Sequence, residues 1–277
     1  MAADAAAPGA EAAQMPFIKN LASSDRKLRT QSLDALQAFL ASRAAGLPAA
    51  DARRLWTGLF YALWMTDRPR PQQALAAALA DLLFALPAAA AVGTWLRAFW
   101  AVLSAQWARI DALRLDKFLL LVRRVFAAHV RYARMRGYRF AAAGEDDVVA
   151  VLAEACFDAD EAAADAPTGA RVALGLRLHA LDVWVDELER ERALRPGPDA
   201  ALDAARAAFV ARLGAVVDAL RAACPVKSVR RRAAESYADP RLPWAQAAAD
   251  EEAMDVDGGD GGGDEHDGDD GWGGIED

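Results

Sequence analysis

The sequence contains few of the residues from which catalytic and metal sites are usually built. Its two cysteines, Cys156 and Cys224, lie far apart with no CxxC pattern, which argues against a disulfide framework or a zinc site and indicates a reducing compartment. The three histidines, His129, His179 and His266, fall in different segments, and we interpret the first two as packing residues. The GxxxxGK[ST], GxGxxG, HExxH and GxSxG motifs are missing. We therefore predict that the protein is not an enzyme and uses no cofactor or metal.

Long hydrophobic runs are also missing. The longest uncharged stretch, residues 82–96, has only fifteen residues and is interrupted by Pro87 and Gly93, so it is too short to span a bilayer. The N-terminal residues lack the basic region of a secretory signal. We expect no membrane segment and interpret residues 1–16 as a flexible leader.

Charge is distributed unevenly along the chain. Residues 1–142 carry 19 basic and 9 acidic side chains, residues 143–225 carry 8 basic and 16 acidic ones, and residues 250–277 carry 13 acids and no base. Arginine outnumbers lysine by 28 to 4. A basic first half suits a phosphate backbone or an acidic protein surface, and arginine forms bidentate contacts to phosphate. Alternatively, the many arginines and alanines reflect only the base composition of the genome.

Apolar residues recur at helical spacing over most of the chain, whereas strands with period-2 alternation and hairpin turns are missing. The pattern predicts eight helices joined by short connections, which makes successive helices antiparallel neighbours. Their approximate bounds are 25–46, 51–67, 69–86, 92–108, 111–137, 145–157, 168–192 and 199–222. We predict an all-α fold, a HEAT/armadillo-like α-α superhelix over residues 17–224, with a compact irregular bundle as the alternative.

The character of the sequence changes after residue 224. Residues 225–249 contain a short basic cluster and the motif DPRLPW, and we interpret them as a basic extended segment. The cluster is a candidate nuclear-import signal and consists of Lys227, Arg230, Arg231 and Arg232. Residues 250–277 have no core-forming pattern, and we expect a disordered acidic tail there.

One predicted helix, near residues 107–137, combines an apolar stripe with embedded charges that become uniformly basic towards its end. Its cations are the candidate contacts for RNA or a protein partner: Arg114, Lys117, Arg123, Arg124, Arg131, Arg134 and Arg136. For Asp111, Arg114, Asp116 and Lys117 a second interpretation is open, because charges embedded in an apolar helix also form internal ion pairs that fix helix packing.

The aromatic residues and the paired acids receive structural interpretations. Trp56, Phe60, Trp64, Trp95 and Phe99 follow helical i,i+4 spacing, which favours packing between helices over stacking on unpaired bases. The acid pairs are interpreted as solvated helix exteriors, not acid–base catalysts; they are Asp146 with Asp147 and Glu187 with Glu189.

Three long blocks of the chain carry a resemblance to a known family. They are LWTGLFYALWMTDRPRPQQALAAALADLL, FWAVLSAQWARIDALRLDKFLLLVRRVF and GLRLHALDVWVDELE, and they retain Trp-Met-x-Asp at residues 64–67 and Ile-Asp-x-x-Arg-x-Asp-Lys at residues 110–117. The opening FIKNLASSDRKLRTQSLDALQAFL is similar as well. In this order the blocks resemble the eukaryotic nucleolar ribosomal-RNA-processing protein 1 family, with coverage from about residue 17 to residue 222.

The resemblance implies that the protein is a HEAT-like, non-enzymatic scaffold located in the nucleus, within the nucleolus. Such a protein would act in ribosome biogenesis, within the preribosomal large-subunit precursor, where it is needed for rRNA processing. Its implied partners are pre-60S assembly factors, ribosomal proteins and pre-rRNA, with no membrane and no small-molecule substrate. A helical protein–protein adaptor without RNA contact is the alternative. Family members often carry a long Lys-rich extension, whereas this chain has a short acidic tail.

Overall fold

The computed structural model describes residues 16–21, 23, 25–43, 46–140, 144, 146–158 and 172–246, and these residues contain ten α-helices and two short 3₁₀ turns. The helices are α1 Pro16–Leu21, α2 Arg26–Ala41, α3 Ala49–Trp64, α4 Pro69–Asp81, α5 Ala89–Gln106, α6 Ala112–Met135, α7 Val148–Ala155, α8 Leu174–Arg190, α9 Ala200–Ala223 and α10 Lys227–Tyr237. The 3₁₀ turns are Leu82–Ala85 and Trp107–Arg109. The prediction of an all-α fold is confirmed.

Local sequence signals determine where several helices begin and end. Four aspartates act as N-caps by accepting backbone N–H groups of the first turn, and they are Asp25, Asp111, Asp147 and Asp199. Pro69 occupies the first position of α4, where its missing N–H removes no helical hydrogen bond. After α6, Gly137 adopts a φ of 62°, which glycine tolerates without a steric penalty.

The helices pack in two layers within the compact unit Met1–Asp239. In one layer α4, α6, α8 and α10 follow each other as neighbours, and in the other α1, α3, α5, α7 and α9 do the same. Helices adjacent in sequence, such as α3 and α4 or α9 and α10, contact each other across the layers. This alternation, in which helices two apart are neighbours within a layer, is the arrangement of stacked helical hairpins that the sequence predicts.

Large aromatic side chains join α3 to α5 in the core. Trp56 and Trp95 lie with ring centroids 4.8 Å apart, and the indole Nε1 of Trp56 donates to the carbonyl oxygen of Trp95 at 3.0 Å. Phe60 stacks on Phe118 of α6 at 4.6 Å. The packing interpretation of these rings is confirmed, although Trp64 is only half-buried.

The segment that begins at residue 225 differs from our prediction of an extended chain. Lys227–Tyr237 forms α10, because Val229 and Ala233 recur at i,i+4 spacing and are buried on the face that packs against α8 and α9. The extended interpretation is therefore wrong for these residues, and the compact helical unit runs to Asp239, beyond the boundary expected at 224. Residues 1–15 of the predicted leader and the predicted tail, 250–277, lie outside the described residues.

A second, small unit comprises residues 240–277, of which 240–246 are described. In it the backbone N–H groups of Ala245 and Gln246 donate to the carbonyl oxygen of Leu242 at 3.1 and 3.2 Å. Throughout the described part of the chain, no helix has both the length and the apolar composition that crossing a bilayer requires.

Candidate functional site

Two of the sequence blocks meet where α3 ends and α6 begins. The ammonium of Lys117 donates to the carbonyl oxygens of Trp64 and Thr66 at 2.6 and 3.0 Å, so it satisfies groups that the end of α3 leaves without helical partners. The guanidinium of Arg114 lies over the Trp64 ring, 4.8 Å from its centroid, and is ion-paired with Asp111. These contacts hold the N-terminal part of α6 against the C-terminal end of α3.

Burial affects the pKa of the Lys117 side chain. Its side chain is buried, and this desolvation lowers its pKa, while the nearby carboxylate of Asp67 acts in the opposite direction. The internal-packing interpretation thus describes the contacts of Asp111, Arg114 and Lys117, whereas Asp116 is exposed. Contact of Arg114 and Lys117 with RNA or a partner stays a prediction, and such contact would have to displace these bonds.

Arg123 connects α6 to α8 through two carboxylates. Its Nη2 donates to Oδ2 of Asp186 at 3.0 Å, and its Nε donates to Oε1 of Glu187. Glu187 is fully buried and has a second cation, Arg190, whose Nε lies 3.4 Å from Oε2. Burial raises the pKa of Glu187, and the neighbouring guanidinium groups counteract that rise. Arg123, Asp186 and Glu187 therefore form a brace, a set of ionic contacts that links α6 to α8, its neighbour in the same layer.

Three further arginines of the candidate group also have acidic partners from other elements. Arg131 donates to Asp81 at 2.7 Å and lies over the Phe84 ring, which ties α6 to the end of α4. Looser pairs join Arg134 to Glu191 at 3.6 Å and Arg136 to Asp146 at 3.3 Å. Arg134 and Arg136 thus pair with acids of the acidic segment 143–225, whereas the partner of Arg131, Asp81, lies within the basic segment itself.

Arg124 differs from the other arginines of α6. Among the described residues it has no ion pair within 4 Å, and its Nε is buried without a hydrogen-bond partner. It lines a small cleft between α4 and α6 together with Arg131, Asp81 and Glu191, over a floor of alanines. Contact of the group Arg123, Arg124, Arg131, Arg134 and Arg136 with RNA or a partner stays a prediction, and Arg124 is the member that forms no ion pair within 4 Å in the described part of the chain.

The candidate import cluster lies on a folded helix. Arg230 donates to the carbonyl oxygens of Cys224 and Pro225 at 2.7 and 2.9 Å, and Arg232 is ion-paired with Asp182 of α8. Arg231 approaches Glu235 at 3.6 Å, and Lys227 is exposed. The import role stays a prediction, and it rests on a cluster of which two members are bonded inside the fold.

The buried titratable groups are engaged in packing. Nδ1 of His129 lies 2.8 Å from the carbonyl oxygen of Val125, and its Nε2 accepts from the indole of Trp100 at 3.3 Å. Complete burial lowers the pKa of His129 to about 4, which keeps the imidazole neutral at physiological pH. His179 donates to the carbonyl oxygen of Leu119 at 3.0 Å. The interpretation of these two histidines as packing residues is confirmed.

The acid pairs are placed differently from our prediction of solvated exteriors. Asp146 and Asp147 are both buried: Asp147 caps α7 and is ion-paired with Arg212, while Asp146 accepts from the hydroxyl of Tyr132 at 3.0 Å. Burial and that carboxylate raise the pKa of Tyr132 to about 12. The exterior interpretation is also wrong for Glu187. Sequence spacing did not reveal this, because Arg123 and Arg212, which pair with Glu187 and Asp147, lie 64 and 65 residues away from them in the chain.

Sequence reasoning passed over one set of cations. Arg26, Lys27, Arg68 and Arg70 are exposed, and no ion pair within 4 Å is found for them in the described residues. They belong to the first turns of α2 and α4 or immediately precede them. Their position at helix N-termini is the signal that could have identified them, because the helix dipole disfavours cations there.

The architecture and its internal ion pairs define a two-layered α-helical repeat protein. A family model described as "Nucleolar protein, Nop52" matches residues 12–271, and the chain belongs to this family. The chain is similar to the human Ribosomal RNA processing protein 1 homolog B, with 24% identity over 188 residues covering 66% of this chain and 23% of the relative. It is also similar to the human homolog A, with 26% identity over 64% of this chain and 37% of the relative.

A relative from Caenorhabditis elegans, a Ribosomal RNA processing protein 1 homolog, is 26% identical over 64% of this chain and 42% of its own length. The resemblance to this family is therefore confirmed, and the family's description as nucleolar agrees with the predicted localisation. The chain covers less than half of the length of the three relatives.

Proposed function

We propose that this protein is a non-enzymatic nucleolar assembly factor of the large ribosomal subunit. It acts as a helical scaffold that binds pre-60S assembly factors, ribosomal proteins and pre-rRNA, and it is required for pre-rRNA processing. The observation that carries the proposal is the combination of a braced, two-layered helical array with relatives that are named for ribosomal RNA processing.

The chemistry of the buried polar groups supports a scaffold role. Lys117, Glu187, Asp146 and Asp147 each make bonds that cap a helix or join two helices, and neutral His129 bonds to a backbone carbonyl. A group that acts as a general acid or base needs a position from which it can reach a substrate proton. These groups are instead committed to holding the helices in place.

The test of the function is conditional depletion of the protein in its own cells, followed by pulse labelling of rRNA. We expect large-subunit precursors to accumulate while small-subunit rRNA matures normally, and we expect the wild-type gene to restore maturation. Unchanged processing of both rRNAs after complete depletion would refute the proposal.

Within the α6 group, we assign contact with RNA to the members that internal bonding leaves most available, Arg124, Arg134 and Arg136. The side chains of Arg134 and Arg136 are 44% and 51% exposed, and their ion pairs are long. Each phosphate contact that is lost lowers the salt dependence of binding by about 0.7 to 0.9 units of slope. The double variant Arg134→Ala/Arg136→Ala should therefore bind a large-subunit pre-rRNA transcript with a slope that is about 1.5 units smaller.

The second candidate function is a helical protein–protein adaptor with no RNA contact. The observation that favours it is the internal neutralisation of Arg123 and Arg131, which weakens the positive field of α6. Crosslinking of the tagged protein in cells separates the candidates, because RNA and protein contacts are read out in the same sample. Crosslinks to assembly proteins without any to pre-rRNA would establish the adaptor.

A further inference from the structure

A cluster of exposed positive charge lies where α2 and α4 begin. Arg26, Lys27, Arg68 and Arg70 are exposed there, and in the described part of the chain none of them has a carboxylate within 4 Å. The paired arginines of α6 and α9 contrast with them: Arg123, Arg131, Arg206 and Arg221 all contact an acid.

The two helix starts are neighbours in space. Arg26, Arg29 and Thr30 of α2 line one wall of a cleft, and Pro71 and Ala74 of α4 line the other. Of the four exposed cations, Arg26 lines the cleft itself. Lys27 directly follows Arg26, and Arg68 and Arg70 closely precede Pro71, so these three belong to the two helix starts that form the cleft. The remaining lining residues are apolar, with Leu33 and Leu75 forming the floor.

The acids near the cleft form no ion pair with this group in the described part of the chain. The carboxylate of Asp25 accepts the backbone N–H of Lys27 at 2.7 Å as the N-cap of α2. The charge of Asp67 acts on the buried Lys117, and Asp34 lies two turns further along α2. The cations also lie in first turns or, for Arg68, immediately before one, where the helix dipole makes a positive side chain unfavourable by about 0.3–1 kcal/mol.

We infer that the cleft between the first turns of α2 and α4 is a binding site for the phosphate backbone of single-stranded RNA, with Arg26, Lys27, Arg68 and Arg70 as its contacts. Guanidinium groups form bidentate bonds to phosphate, and cations contributed by two separate helices can follow successive phosphates along a strand. The apolar floor accommodates a ribose or a base face. This inference rests on the proposed function, and it names an RNA site distinct from α6.

The test uses the full chain and two charge-matched quadruple variants. The site variant is Arg26→Gln/Lys27→Gln/Arg68→Gln/Arg70→Gln. The control variant changes four other exposed cations that also lack an ion pair among the described residues, Arg53→Gln/Arg109→Gln/Arg192→Gln/Lys227→Gln. Circular dichroism and thermal unfolding check that both remain folded. Binding of a single-stranded large-subunit pre-rRNA transcript is measured between 50 and roughly 300 mM salt.

Four lost phosphate contacts should reduce the salt slope of the site variant by about 3 units, against less than 1 unit for the control. Equal reductions in the two variants would overturn the inference, because binding would then depend on net charge alone. An unchanged slope in the site variant overturns it as well and leaves the proposed function standing. Failure of the wild-type protein to bind the transcript at any salt would overturn both the site and the RNA contact in the proposed function.

A polyglutamate peptide serves as the protein-like polyanion in a parallel titration. We expect the site variant to lose RNA binding by a larger factor than it loses peptide binding, since a peptide lacks regularly spaced phosphates. Loss of peptide binding with unchanged RNA binding would assign the cleft to an acidic protein partner and would overturn the inference.

Discussion

Replacing Arg123 with alanine removes the brace between α6 and α8. In the wild-type protein the guanidinium donates to both Glu187 and Asp186, and Glu187 is fully buried. The variant leaves the Glu187 carboxylate with Arg190 at 3.4 Å, and the Arg190 side chain is 44% exposed. We expect a large loss in the free energy of unfolding, because a buried carboxylate is then incompletely compensated.

The magnitude follows from the surroundings of the pair. Removing one partner of a buried ion pair costs about 3–5 kcal/mol. The remaining Arg190 and the partial exposure of Arg123, whose side chain is 29% accessible, place the cost at the lower end of that range, at about 3 kcal/mol. Urea denaturation followed by circular dichroism measures it, with the assumption of two-state unfolding checked by a second probe.

The control is the same substitution in a Glu187→Gln background. The charge that needs compensation is absent there, so Arg123→Ala should cost only about 1 kcal/mol, the value of an ordinary hydrogen bond. The difference between the two backgrounds is the coupling energy of the pair. Equal costs in the two backgrounds would contradict the proposed brace.

The same variant has a definite pH dependence. Burial already raises the pKa of Glu187 above its ordinary value of 4.5, and removal of Arg123 takes away a group that lowers it. The folded variant therefore binds this proton more tightly than the unfolded chain does, so stability increases as the pH falls from neutral towards 4.5. We expect a smaller penalty at about pH 5 than at pH 7.5. A penalty below about 1 kcal/mol, or one that is independent of pH, would refute the reasoning.

Three further predictions concern single positions. Lys117→Met should cost about 1–3 kcal/mol in thermal unfolding, because two carbonyl oxygens at the end of α3 lose their donor; no change would show that water replaces the amine. Gly58→Ala places a Cβ 2.6 Å from Cδ1 of Ile18, so it should destabilise by about 1–3 kcal/mol, and Ile18→Ala should rescue part of the loss. His129 has a pKa of about 4, so its NMR signals should not titrate above pH 5, and it should make the protein less stable as the pH falls below 6.5; titration near 6.5 would contradict its burial.

The sequence alone was sufficient for the fold class and for most helix positions. The 3.6-residue periodicity of apolar side chains identifies a helix whatever it packs against, and aspartates such as Asp111 and Asp199 mark helix starts through local bonds to the backbone. The segment after residue 224 shows the limit of this approach. Because the segment has many charges, its short apolar face, Val229 and Ala233, did not predict a helix. That face stabilises the helix only because α8 and α9 lie beside it and bury it.

The family assignment was also accessible from the sequence, because long blocks such as residues 110–117 keep unusual residues in a fixed order. The geometry explains part of that pattern. Lys117 and Arg114 of one block contact Trp64 of another, fifty residues earlier, so the two blocks form one packing unit. Nothing in the order of the blocks indicates which of their residues contact each other.

Only the tertiary structure decided which charges face outward without a partner. In the sequence the arginines of α6 form the most conspicuous basic group, but Asp186 and Glu187 lie 63 and 64 residues away from Arg123 in the chain and beside it in the fold. The strength of an electrostatic interaction depends on the distance between the charges in space and not on their separation along the chain, and salt screens exposed charges from each other beyond about 10 Å. Among the described residues the less conspicuous cations Arg26 and Arg70 therefore have no ion pair, while Arg123 and Arg131 of the longer basic helix are ion-paired with acids of neighbouring elements.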